Sequence, residues 1–470
     1  MKIDQIYTGC LAQGAYYIES KGEVAIIDPL RESHPYLAMA EKNQATIKYI
    51  FETHFHADFV SGHVDLARKT GATIVYGPGA KTEFDIHQAV DGELFELGEV
   101  KIKVLHTPGH TMESSTYLLI DKNGNEHAIF SGDTLFIGDV GRPDLAQKGD
   151  ITQEDLAGML FESLREKIMP LPDNVIVYPA HGAGSACGKN MSKETSDLLG
   201  NQKKNNYALR ADMTKKEFVK EVTDGLLPPP QYFAQNVAMN KSADTSGLDS
   251  ILTKGNVALD ADTFEAMANH EGALVLDTRK PQVFNKGFIP NSIFIGIDGS
   301  FAPWVGALIT DLQQPIVFLA DEGREEEVVT RLSRVGYDNT LGFLKGGIEA
   351  WKAAGKEIDM ITSVTADQFK QQMASGDVNI LDVRKPGEYL AEHIEKAKNT
   401  PLDFINDEMH RIDKEKEYFI HCAGGYRSMI FASILKSRGY DKLVDIAGGF
   451  QAILDAGIEV TDYVCPSTLD

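Results

Sequence analysis

Short apolar runs that end in polar residues recur through the first half of the chain. They are rich in Val, Ile and Phe, and most end in His, Asp or Gly: EVAIIDP, TIKYIFETH, ATIVYG, VKIKVLHTPGH, EHAIFSGD and NVIVYPAHG. Each run predicts a β-strand, and polar residues at the ends of buried strands are a common setting for active sites. Helical stretches over 63–69 and 154–167 fall between the strands, so the pattern predicts layered α/β packing.

The second half of the chain contains an internal repeat. ALVLDTRKP returns as NILDVRKP, and FLKGGIEAW returns as DIAGGFQAI. Matching positions recur at offsets of 105, 101 and 102 residues, in the pairs Asp277–Asp382, Asp321–Cys422 and Gly346–Gly448. This near-constant spacing predicts two copies of one fold of about 100 residues, each a parallel sheet with helices on both faces. A small, polar stretch over 238–247 predicts a linker before the first copy.

The net charge of −23 over 470 residues excludes some classes of partner. Binding to nucleic acid or to an anionic membrane needs a basic face, so neither partner is expected. No apolar run approaches the roughly 20 residues that span a bilayer, and MKIDQIYTGC lacks the apolar core of a signal peptide. The four cysteines are too scattered for a disulfide scaffold: Cys10, Cys187, Cys422 and Cys465. We therefore expect a cytoplasmic protein with reduced thiols.

Six side chains that can bind a metal fall at the ends of the predicted strands in the first half. They are His54, His56 and Asp58 in THFHADF, His110 in HTPGHT, Asp133 in FSGDT and His181 in YPAHG. Imidazole and carboxylate groups supply the lone pairs that bind Fe, Zn or Mn. One histidine at a strand end often only forms a capping hydrogen bond, but the recurrence in separated segments favours a metal site.

This succession of motifs resembles the metallo-β-lactamase superfamily over about residues 1–235. The resemblance implies an αβ/βα sandwich with the metal at the edge between its two sheets. Hydrolases of this superfamily usually carry His directly after the Asp of the first motif, where it binds a second metal, but this chain has Phe59. A mononuclear centre is therefore expected, because two-metal hydrolysis needs a second Lewis acid to hold its bridging aqua ligand.

The runs GDTLFIGDVGRPDL and HTPGHTMESSTYLL resemble the persulfide dioxygenase branch of that superfamily. This resemblance implies one Fe(II) per chain, bound by His54, His110 and Asp133. Such a face leaves three positions open, enough for a sulfur ligand and O₂ together. The resemblance also implies that three residues orient the ligands and tune the iron: His56, Asp58 and His181. The pattern alone leaves His56 open as a ligand.

Two further residues of the first half are candidates for substrate binding. Arg142, in DVGRPD, is expected either to position an anionic group of the substrate or to form a structural ion pair. Cys187 comes six residues after His181. It is expected either to reach the mouth of the site and carry or exchange sulfur, or to pack as a small buried residue.

In the second copy of the repeat, a cysteine follows a strand and a glycine-rich loop follows the cysteine. The run YFIHCAGGYRSMIF predicts a strand ending at Cys422, a loop containing Gly424 and Gly425, and a helix from Ser428 onward. Gly424 and Gly425 let successive amide groups turn inward and form an anion-binding concavity, so both are expected to bind the substrate. These amides and the helix N-terminus favour the thiolate, which is the nucleophilic form of cysteine. Arg427 is expected to fix an anionic substrate such as thiosulfate or sulfite. We therefore predict that Cys422 is a catalytic nucleophile.

This loop, together with ILDVRKPGEY and IAGGFQA, resembles a rhodanese domain. The resemblance implies that Cys422 accepts sulfane sulfur as a persulfide and passes it to a nucleophile. Related phosphatases and arsenate reductases use a longer loop, so four residues between Cys and Arg favour sulfur transfer. In the first copy the loop reads LADEGREEEV, with Asp321 at the expected place of the nucleophile, so this copy is predicted to be inactive.

The whole chain resembles bacterial persulfide dioxygenase–rhodanese fusions. The expected domains are a metallo-β-lactamase-like domain, an inactive rhodanese copy and an active rhodanese copy, over residues 1–240, 257–360 and 362–470. The implied function is oxidation of a low-molecular-weight thiol persulfide with O₂ to sulfite, coupled to sulfur transfer that makes or uses thiosulfate, in sulfide detoxification. A homo-oligomer is also expected. The alternatives are a zinc thioesterase of the glyoxalase II kind and a non-oxidative sulfurtransferase.

Overall fold

The structure is a computed structural model that describes residues 1–146, 151–189, 191–243 and 246–465. The chain divides into two compact units, Met1–Asp249 with Ser333–Gly336, and Ser250–Leu332 with Tyr337–Asp470. The predicted domain bounds include residues outside this description, namely 147–150, 190 and 466–470. Among the residues that the structure describes, no helix is both long enough and apolar enough to cross a membrane.

The described part of the first unit contains two six-stranded sheets. Their strands are β1 Lys2–Thr8, β2 Gln13–Ser20, β3 Glu23–Ile27, β4 Thr46–Phe51, β5 Thr73–Tyr76, β6 His87–Gln88, β7 Leu94–Leu97, β8 Val100–His106, β9 Ser115–Ile120, β10 Glu126–Gly132, β11 Ile176–Pro179 and β12 Asp197–Leu198. The first sheet has the order β1-β2-β3-β4-β5-β6, antiparallel up to β3 and parallel after it. The second has the order β12-β11-β10-β9-β8-β7, in which β10 and β11 are parallel and the other pairs antiparallel.

Helices cover the outer faces of both sheets of the first unit. They are α1 His34–Lys42, α2 His63–Thr70, α3 Gln153–Ser163, α4 Leu199–Asn205, α5 Lys215–Thr223 and α6 Phe233–Lys241, with a π-helical turn at Leu164–Ile168 and a 3₁₀ turn at Tyr207–Leu209. Aromatic side chains such as Phe51 and Phe130 fill the space between the sheets. Leu66 of α2 packs on the outer face of the first sheet, and Leu160 of α3 packs on that of the second. This arrangement confirms the predicted αβ/βα sandwich.

Helix α6 corrects part of the predicted linker over 238–247. Residues 238–241 form the last turn of α6, and the side chain of Asn240 is buried there. Small polar residues usually favour loops, because they form hydrogen bonds with water. The side-chain amide of Asn240 instead donates to the buried carbonyl oxygen of His56. Residues 244 and 245 of the predicted linker lie outside the described residues.

The described residues of the second unit form two five-stranded sheets of identical topology. Their strands are β13 Ala258–Leu259, β14 Leu274–Asp277, β15 Ile293–Phe294, β16 Ile316–Leu319, β17 Thr340–Leu344, β18 Thr362–Val364, β19 Asn379–Asp382, β20 Lys398–Asn399, β21 Tyr418–His421 and β22 Leu443–Ile446. The orders are β13-β17-β16-β14-β15 and β18-β22-β21-β19-β20. Their strand pairs are parallel. The predicted repeat of one parallel fold is therefore confirmed.

Helices alternate with these strands along the chain. Helix α7 Leu248–Gly255 precedes the first copy, whose helices are α8 Ala261–His270, α9 Pro281–Phe284, α10 Phe301–Leu308, α11 Glu325–Arg334 and α12 Gly347–Ala353. Those of the second copy are α13 Ala366–Ser375, α14 Pro386–Ala391, α15 Ile405–Glu408, α16 Tyr426–Ser437 and α17 Gly449–Asp455, with 3₁₀ turns at Leu402–Phe404 and Met409–Arg411.

The strand pairing shows that Ala320, and not the predicted Asp321, is the residue of the first copy equivalent to Cys422. The central strands of the two copies pair in the same register, in the pairs Asp277–Leu319 and Asp382–His421. The next residue along the chain is Ala320 in the first copy and Cys422 in the second. The sequence prediction of Asp321 was wrong by one position, because the offset between the copies varies and only the sheet pairing determines the register. A methyl group has no lone pair, so the first copy still lacks a nucleophile at this position.

Candidate metal centre and cysteine loop

Three candidate metal ligands from three different strand ends converge in the first unit. His54 follows β4, His110 follows β8 and Asp133 follows β10, and all three side chains are buried. Oδ2 of Asp133 lies 3.4 Å from Nε2 of His110 and 3.8 Å from Nε2 of His54. Atoms bound to one ion at about 2.1 Å lie about 3.0–3.4 Å apart at ligand angles of about 90–110°. A small contraction of this group would therefore complete a shared metal site.

Hydrogen bonds on the far side of each imidazole ring turn Nε2 toward that point. Nδ1 of His110 donates to the carbonyl oxygen of Arg142 at 2.8 Å. Nδ1 of His54 lies 2.9 Å from Oγ1 of Thr53, and this hydroxyl donates to Oδ2 of Asp28 at 2.8 Å. Because a hydroxyl has one proton, Oγ1 of Thr53 accepts from Nδ1 of His54. These bonds place a proton on Nδ1 of each ring, which leaves Nε2 as the nitrogen that can bind a metal.

His181 lies between two aspartates beside this centre. Its Nδ1 is 2.8 Å from Oδ1 of Asp133, and its Nε2 is 2.8 Å from Oδ2 of Asp58. Burial disfavours the charged imidazole, but Asp133 and Asp58 outweigh it and raise the pKa of His181 well above its usual value. Burial likewise disfavours the charged form of Asp133, but His181 and His54 lower the pKa of this carboxyl below its usual value. Asp133 is therefore held as a carboxylate.

The unpartnered oxygen of Asp133 shows that these residues fit a metal ion. Oδ2 is buried and has no hydrogen-bond partner among the described residues. A buried carboxylate oxygen without a partner is costly, and a cation at the convergence point would satisfy it. Metal ligands must also be deprotonated. Burial, with the neighbouring His56, lowers the pKa of His54 well below its usual value, so this imidazole is neutral.

His56 points away from the centre, toward two other carboxylates. Its Nε2 lies 3.1 Å from Oδ1 of Asp28 and 3.4 Å from Oε2 of Glu52. Burial opposes a charge on His56, but these carboxylates outweigh it and raise the pKa of His56 to about 10. The buried ring of Phe59 lies 4.3 Å from the His56 ring, centroid to centroid. His56 therefore neutralises buried acids behind the loop that carries His54, and its orienting role stays a prediction.

Sequence reasoning missed Asn240, which holds the loop between His54 and α2 in place. Nδ2 of Asn240 donates to the carbonyl oxygens of His56 and Phe59, both at 2.8 Å. Its Oδ1 accepts from the amide of Ser61 at 2.8 Å. Asn240 lies 184 positions from His56. No local motif marks a lone asparagine at that separation, so the contact is visible only in the fold.

The two substrate-binding residues predicted in the first unit both lie near the ligands. The guanidinium of Arg142 donates to Asp144 at 2.6 and 2.7 Å and to the carbonyl oxygen of Leu227 at 2.6 Å. These are contacts of a structural ion pair, and substrate binding by Arg142 stays a prediction. Cys187 is buried, and its Sγ lies within 4.8 Å of ligand atoms of Asp58 and His181. Burial and neighbouring aspartates raise the pKa of the Cys187 thiol well above its usual value. Its role in carrying sulfur stays a prediction.

In the second unit, the loop after β21 directs a backbone amide at the thiol of Cys422. The amide of Gly425 donates to Sγ at 3.1 Å. Gly425 has φ of 96°, a left-handed conformation that favours glycine, whereas a Cβ added at Gly424 would meet nothing within 4 Å. The amide of Phe450, in the IAGGF run, donates to the carbonyl oxygen of Cys422 at 2.7 Å. The IAGGF run therefore holds the backbone of Cys422 in place.

Arg427 closes the loop through an ion pair that the sequence did not predict. Its Nη1 and Nη2 lie 2.6 and 2.8 Å from the two carboxylate oxygens of Glu388. Burial opposes the charge of the guanidinium, but Glu388 outweighs it and raises the pKa of Arg427. An anionic substrate would compete with Glu388 for this group. Anion binding by Arg427 therefore stays a prediction.

The first copy of the repeat contacts the residue that follows Gly425. The hydroxyl of Tyr426 donates to the carbonyl oxygen of Gly296 at 2.7 Å. The ring of Tyr426 packs against Gly299, where an added Cβ would overlap it. The amide of Phe294 also donates to Oγ of Ser433 on α16 at 2.9 Å. The first copy thus helps to hold the loop that carries Cys422.

Comparison with known families agrees with this architecture. The model of the metallo-beta-lactamase superfamily matches residues 8–181. The model of the rhodanese-like domain matches twice, over residues 260–354 and 365–456. A crystal structure described as a metallo-beta-lactamase from Staphylococcus aureus subsp. aureus COL is 30% identical, with a TM-score of 0.64, and the match covers 73% of this chain and 98% of that one.

Two curated relatives resemble the first unit at similar identity. The cytoplasmic hydroxyacylglutathione hydrolase of Arabidopsis thaliana is 33% identical over 186 residues, which cover 38% of this chain and 67% of the relative. The human mitochondrial persulfide dioxygenase ETHE1 is 30% identical over 213 residues, which cover 44% of this chain and 74% of the relative. This chain spans only 58% and 60% of two probable hydroxyacylglutathione hydrolases of Schizosaccharomyces pombe.

Proposed function

The chain belongs to the metallo-β-lactamase superfamily and carries two rhodanese-like domains, and from this premise we propose that it is a mononuclear iron persulfide dioxygenase coupled to a sulfurtransferase. The substrate is a low-molecular-weight thiol persulfide. The balanced reaction is R–S–SH + O₂ + H₂O → R–SH + SO₃²⁻ + 2 H⁺. Sulfite and a persulfide on Cys422 then give thiosulfate, or thiosulfate supplies sulfur in the opposite direction.

The observation that carries this proposal is the donor set in the first unit. Two imidazoles and one carboxylate face one point, from His54, His110 and Asp133. A 2-His-1-carboxylate face with open positions is typical of non-haem Fe(II) oxygenases. When bound, Fe(II) would supply the open coordination positions at which O₂ is activated beside the persulfide sulfur.

Phe59 and Asp58 favour one metal over two. Phe59 has no lone pair, and its ring packs on His56. The carboxylate of Asp58 is engaged by His181 at 2.8 Å. A second ion would have to break this buried pair and would gain no ligand from position 59. The site is thus better suited to a single metal than to a bridged pair.

The residues around the ligands have separate tasks in this function. His181 binds one oxygen of Asp133 and so leaves the other for the metal that His54 and His110 would also hold. Thr53 and the carbonyl oxygen of Arg142 fix the two imidazole rings. In the second unit, the amide of Gly425 stabilises the thiolate of Cys422, which attacks the sulfane sulfur.

A zinc thioesterase of the glyoxalase II kind is the second candidate function. It is favoured by the 33% identity with the hydroxyacylglutathione hydrolase of Arabidopsis thaliana. Both functions use a substrate that is a conjugate of a thiol. Phe59 and the two rhodanese-like domains favour the dioxygenase.

Metal content and oxygen uptake test the proposal. The full chain is purified without oxygen, its iron and zinc are counted, and oxygen consumption is followed with glutathione persulfide, coenzyme A persulfide and S-lactoylglutathione. We expect one iron per chain, oxygen uptake with a persulfide, and release of sulfite. Two zinc ions per chain, with thioester cleavage and no oxygen uptake, would support the hydrolase and overturn the dioxygenase.

Cellular location and assembly are also part of the proposal. We place the protein in the cytoplasm as a homo-oligomer, because its thiols suit a reducing compartment and the fusion proteins it resembles are expected to assemble. Cell fractionation tests the first statement, and light scattering of the purified full chain tests the second. A monomer at micromolar concentration would contradict the homo-oligomer.

A further inference from the structure

A continuous path of polar groups leads from the thiol of Cys422 into the core of the second copy. Sγ of Cys422 donates to Oγ of Ser428 at 3.7 Å, and Oγ of Ser428 donates to Oδ1 of Asp445 at 2.7 Å. The other oxygen of Asp445 accepts from Oγ of Ser363 at 3.1 Å. All donors on the path point the same way, from the thiol to the carboxylate. Ser428 and Asp445 are 0% and 3% exposed, so water does not compete for these bonds.

The first copy supplies an internal comparison, because it has the same fold without the thiol. Asp445 pairs with Ile420 on the central strand, and the residue in the equivalent pair of the first copy is Phe343. Ser428 is the third residue after the left-handed Gly425, and the third residue after the equivalent Gly323 is Glu326. The serine and the aspartate are thus both present in the copy that has the cysteine and both replaced in the copy that lacks it.

A buried aspartate in the interior of a parallel sheet is costly for folding. Burial raises the pKa of Asp445 to about 6, although Ser428 and Ser363 partly oppose this. The phenylalanine of the first copy shows that the same fold accepts an apolar side chain at this place. Structural need therefore does not account for Asp445, whereas a proton-accepting role for a carboxylate near Cys422 does.

We propose that Asp445 accepts the proton of the Cys422 thiol through Ser428 when sulfur transfer begins. The S–H proton moves to Oγ of Ser428 while the hydroxyl proton of Ser428 moves to Oδ1 of Asp445. The thiolate attacks the outer sulfur of the donor, and the donor S–S bond breaks with its electron pair on the departing sulfite or thiolate. When the acceptor later removes the sulfur, the proton returns to Cys422 along the same path. No oxidant or reductant is consumed.

Hydroxyl groups contact the carboxylate end of this path, and a cation and a backbone amide face its thiol end. Ser363 on β18 and Ser428 on α16 contact Asp445. At the other end, Arg427 and the amide of Gly425 face Cys422. Arg427 and Gly425 favour the thiolate once it forms, and Asp445 supplies the base. The inference rests on the proposed sulfur transfer by Cys422, but the path itself can be tested without that activity.

Alkylation of Cys422 in the full chain tests the path directly. The rate of reaction with iodoacetamide is measured by peptide mass spectrometry from pH 5 to pH 9, for wild type, Asp445→Asn and Ser428→Ala. Ser437→Ala is the matched control, because Ser437 is on the same helix and its hydroxyl donates to the carbonyl oxygen of Ile434. Sulfur transfer from thiosulfate to cyanide is measured in parallel, with kcat and KM separated.

We expect the wild-type rate to rise as Asp445 ionises, through about pH 6. Both variants should lose this rise and react about 10²-fold more slowly at pH 7. Their kcat for transfer should fall with KM unchanged, because Asp445 does not touch the donor.

Ser437→Ala should behave as wild type. Alkylation that is unchanged in both variants at every pH would overturn the path. If wild type transfers no sulfur but its alkylation rate still depends on Asp445, the proposed sulfur transfer is rejected. The proton path from Cys422 to Asp445 would still be supported.

Discussion

His181 donates from Nδ1 to Oδ1 of Asp133 at 2.8 Å and so leaves Oδ2 of this carboxylate facing His54 and His110. One carboxylate thus has two distinct oxygens, one bound within the protein and one without a hydrogen-bond partner among the described residues. This division of tasks makes Asp133 the residue on which metal binding most directly depends.

Asp133→Ala should abolish iron retention and oxygen consumption. It removes the only carboxylate of the proposed ligand set, and the remaining imidazoles hold a divalent metal weakly. Sulfur transfer by Cys422 should stay within about twofold of wild type, since Cys422 and its loop belong to the other compact unit. Iron counted after desalting and the thiosulfate–cyanide assay check the two outcomes. Full iron content in Asp133→Ala would contradict the ligand assignment, and Asp121→Ala, in an exposed turn, is the control.

Thr53→Val should weaken metal binding without removing a ligand. It breaks the path from Asp28 through the Thr53 hydroxyl to Nδ1 of His54. Loss of such an orienting contact typically lowers metal affinity by about 10–100-fold. Competition with a chelator measures the affinity. Thr53→Ser keeps the hydroxyl and should restore affinity to near wild type, and equal affinities of the Val and Ser variants would argue against the path.

Phe59→His should allow a second metal ion to bind. The new imidazole would lie next in sequence to Asp58, whose Oδ1 has no hydrogen-bond partner in the described part of the chain. Zinc content after incubation with excess zinc should rise toward two ions per chain. Phe59→Leu, which also removes the ring but adds no donor, should remain at one. Unchanged metal content in Phe59→His would mean that position 59 does not determine the number of metals.

Asp445→Asn should stabilise the protein above pH 6 while it slows sulfur transfer. The pKa of Asp445 is about 6 in the folded protein and 3.8 without its burial, so the folded state holds the proton more tightly. Folding stability therefore falls as pH rises from about 4 to 6, and the loss stays constant at higher pH. Two pKa units correspond to about 3 kcal/mol, which is the upper limit of the gain in the variant.

Urea denaturation of the full chain at several pH values checks this prediction. The difference in unfolding free energy between Asp445→Asn and wild type should grow from pH 4 to pH 6 and then level off. Asp441→Asn is the matched control, because Asp441 is exposed and paired with Lys436, and it should lose a little stability. A variant that is less stable than wild type at pH 8 would show that Asp445 is needed for folding.

Gly299→Ala should impair sulfur transfer although it lies in the copy without a nucleophile. The added methyl group would overlap the ring of Tyr426 and displace the start of α16. We expect kcat for transfer to fall about tenfold, with oxygen consumption unchanged. Gly376→Ala is the control, since a Cβ there meets nothing within 4 Å and the backbone is extended. Tyr426→Ala added to Gly299→Ala should recover part of the activity, and no recovery would reject the steric explanation.

Much of the fold followed from local patterns in the chain. Strand-like runs with polar ends predicted the first unit, because strand periodicity and terminal polar clusters are properties of short windows. The repeat predicted two equal parallel sheets, and the structure has them. The number of residues between equivalent positions of the two copies is not constant, so the sequence could not align them residue by residue. It therefore matched Asp321 to Cys422, whereas the strand pairing matches Ala320.

The candidate sites show the same division between local and long-range information. Cys422 and the histidines stand in motifs, so the sequence by itself determined which side chains are available for chemistry. Asp28, Glu388 and Asp445 stand in runs that the sequence also shows, and Asn240 stands in none, but no run states which residue each of them contacts. Only the tertiary structure decided these pairings, because sheet order and packing bring distant residues together, and a buried polar atom takes whichever partner the fold places within reach.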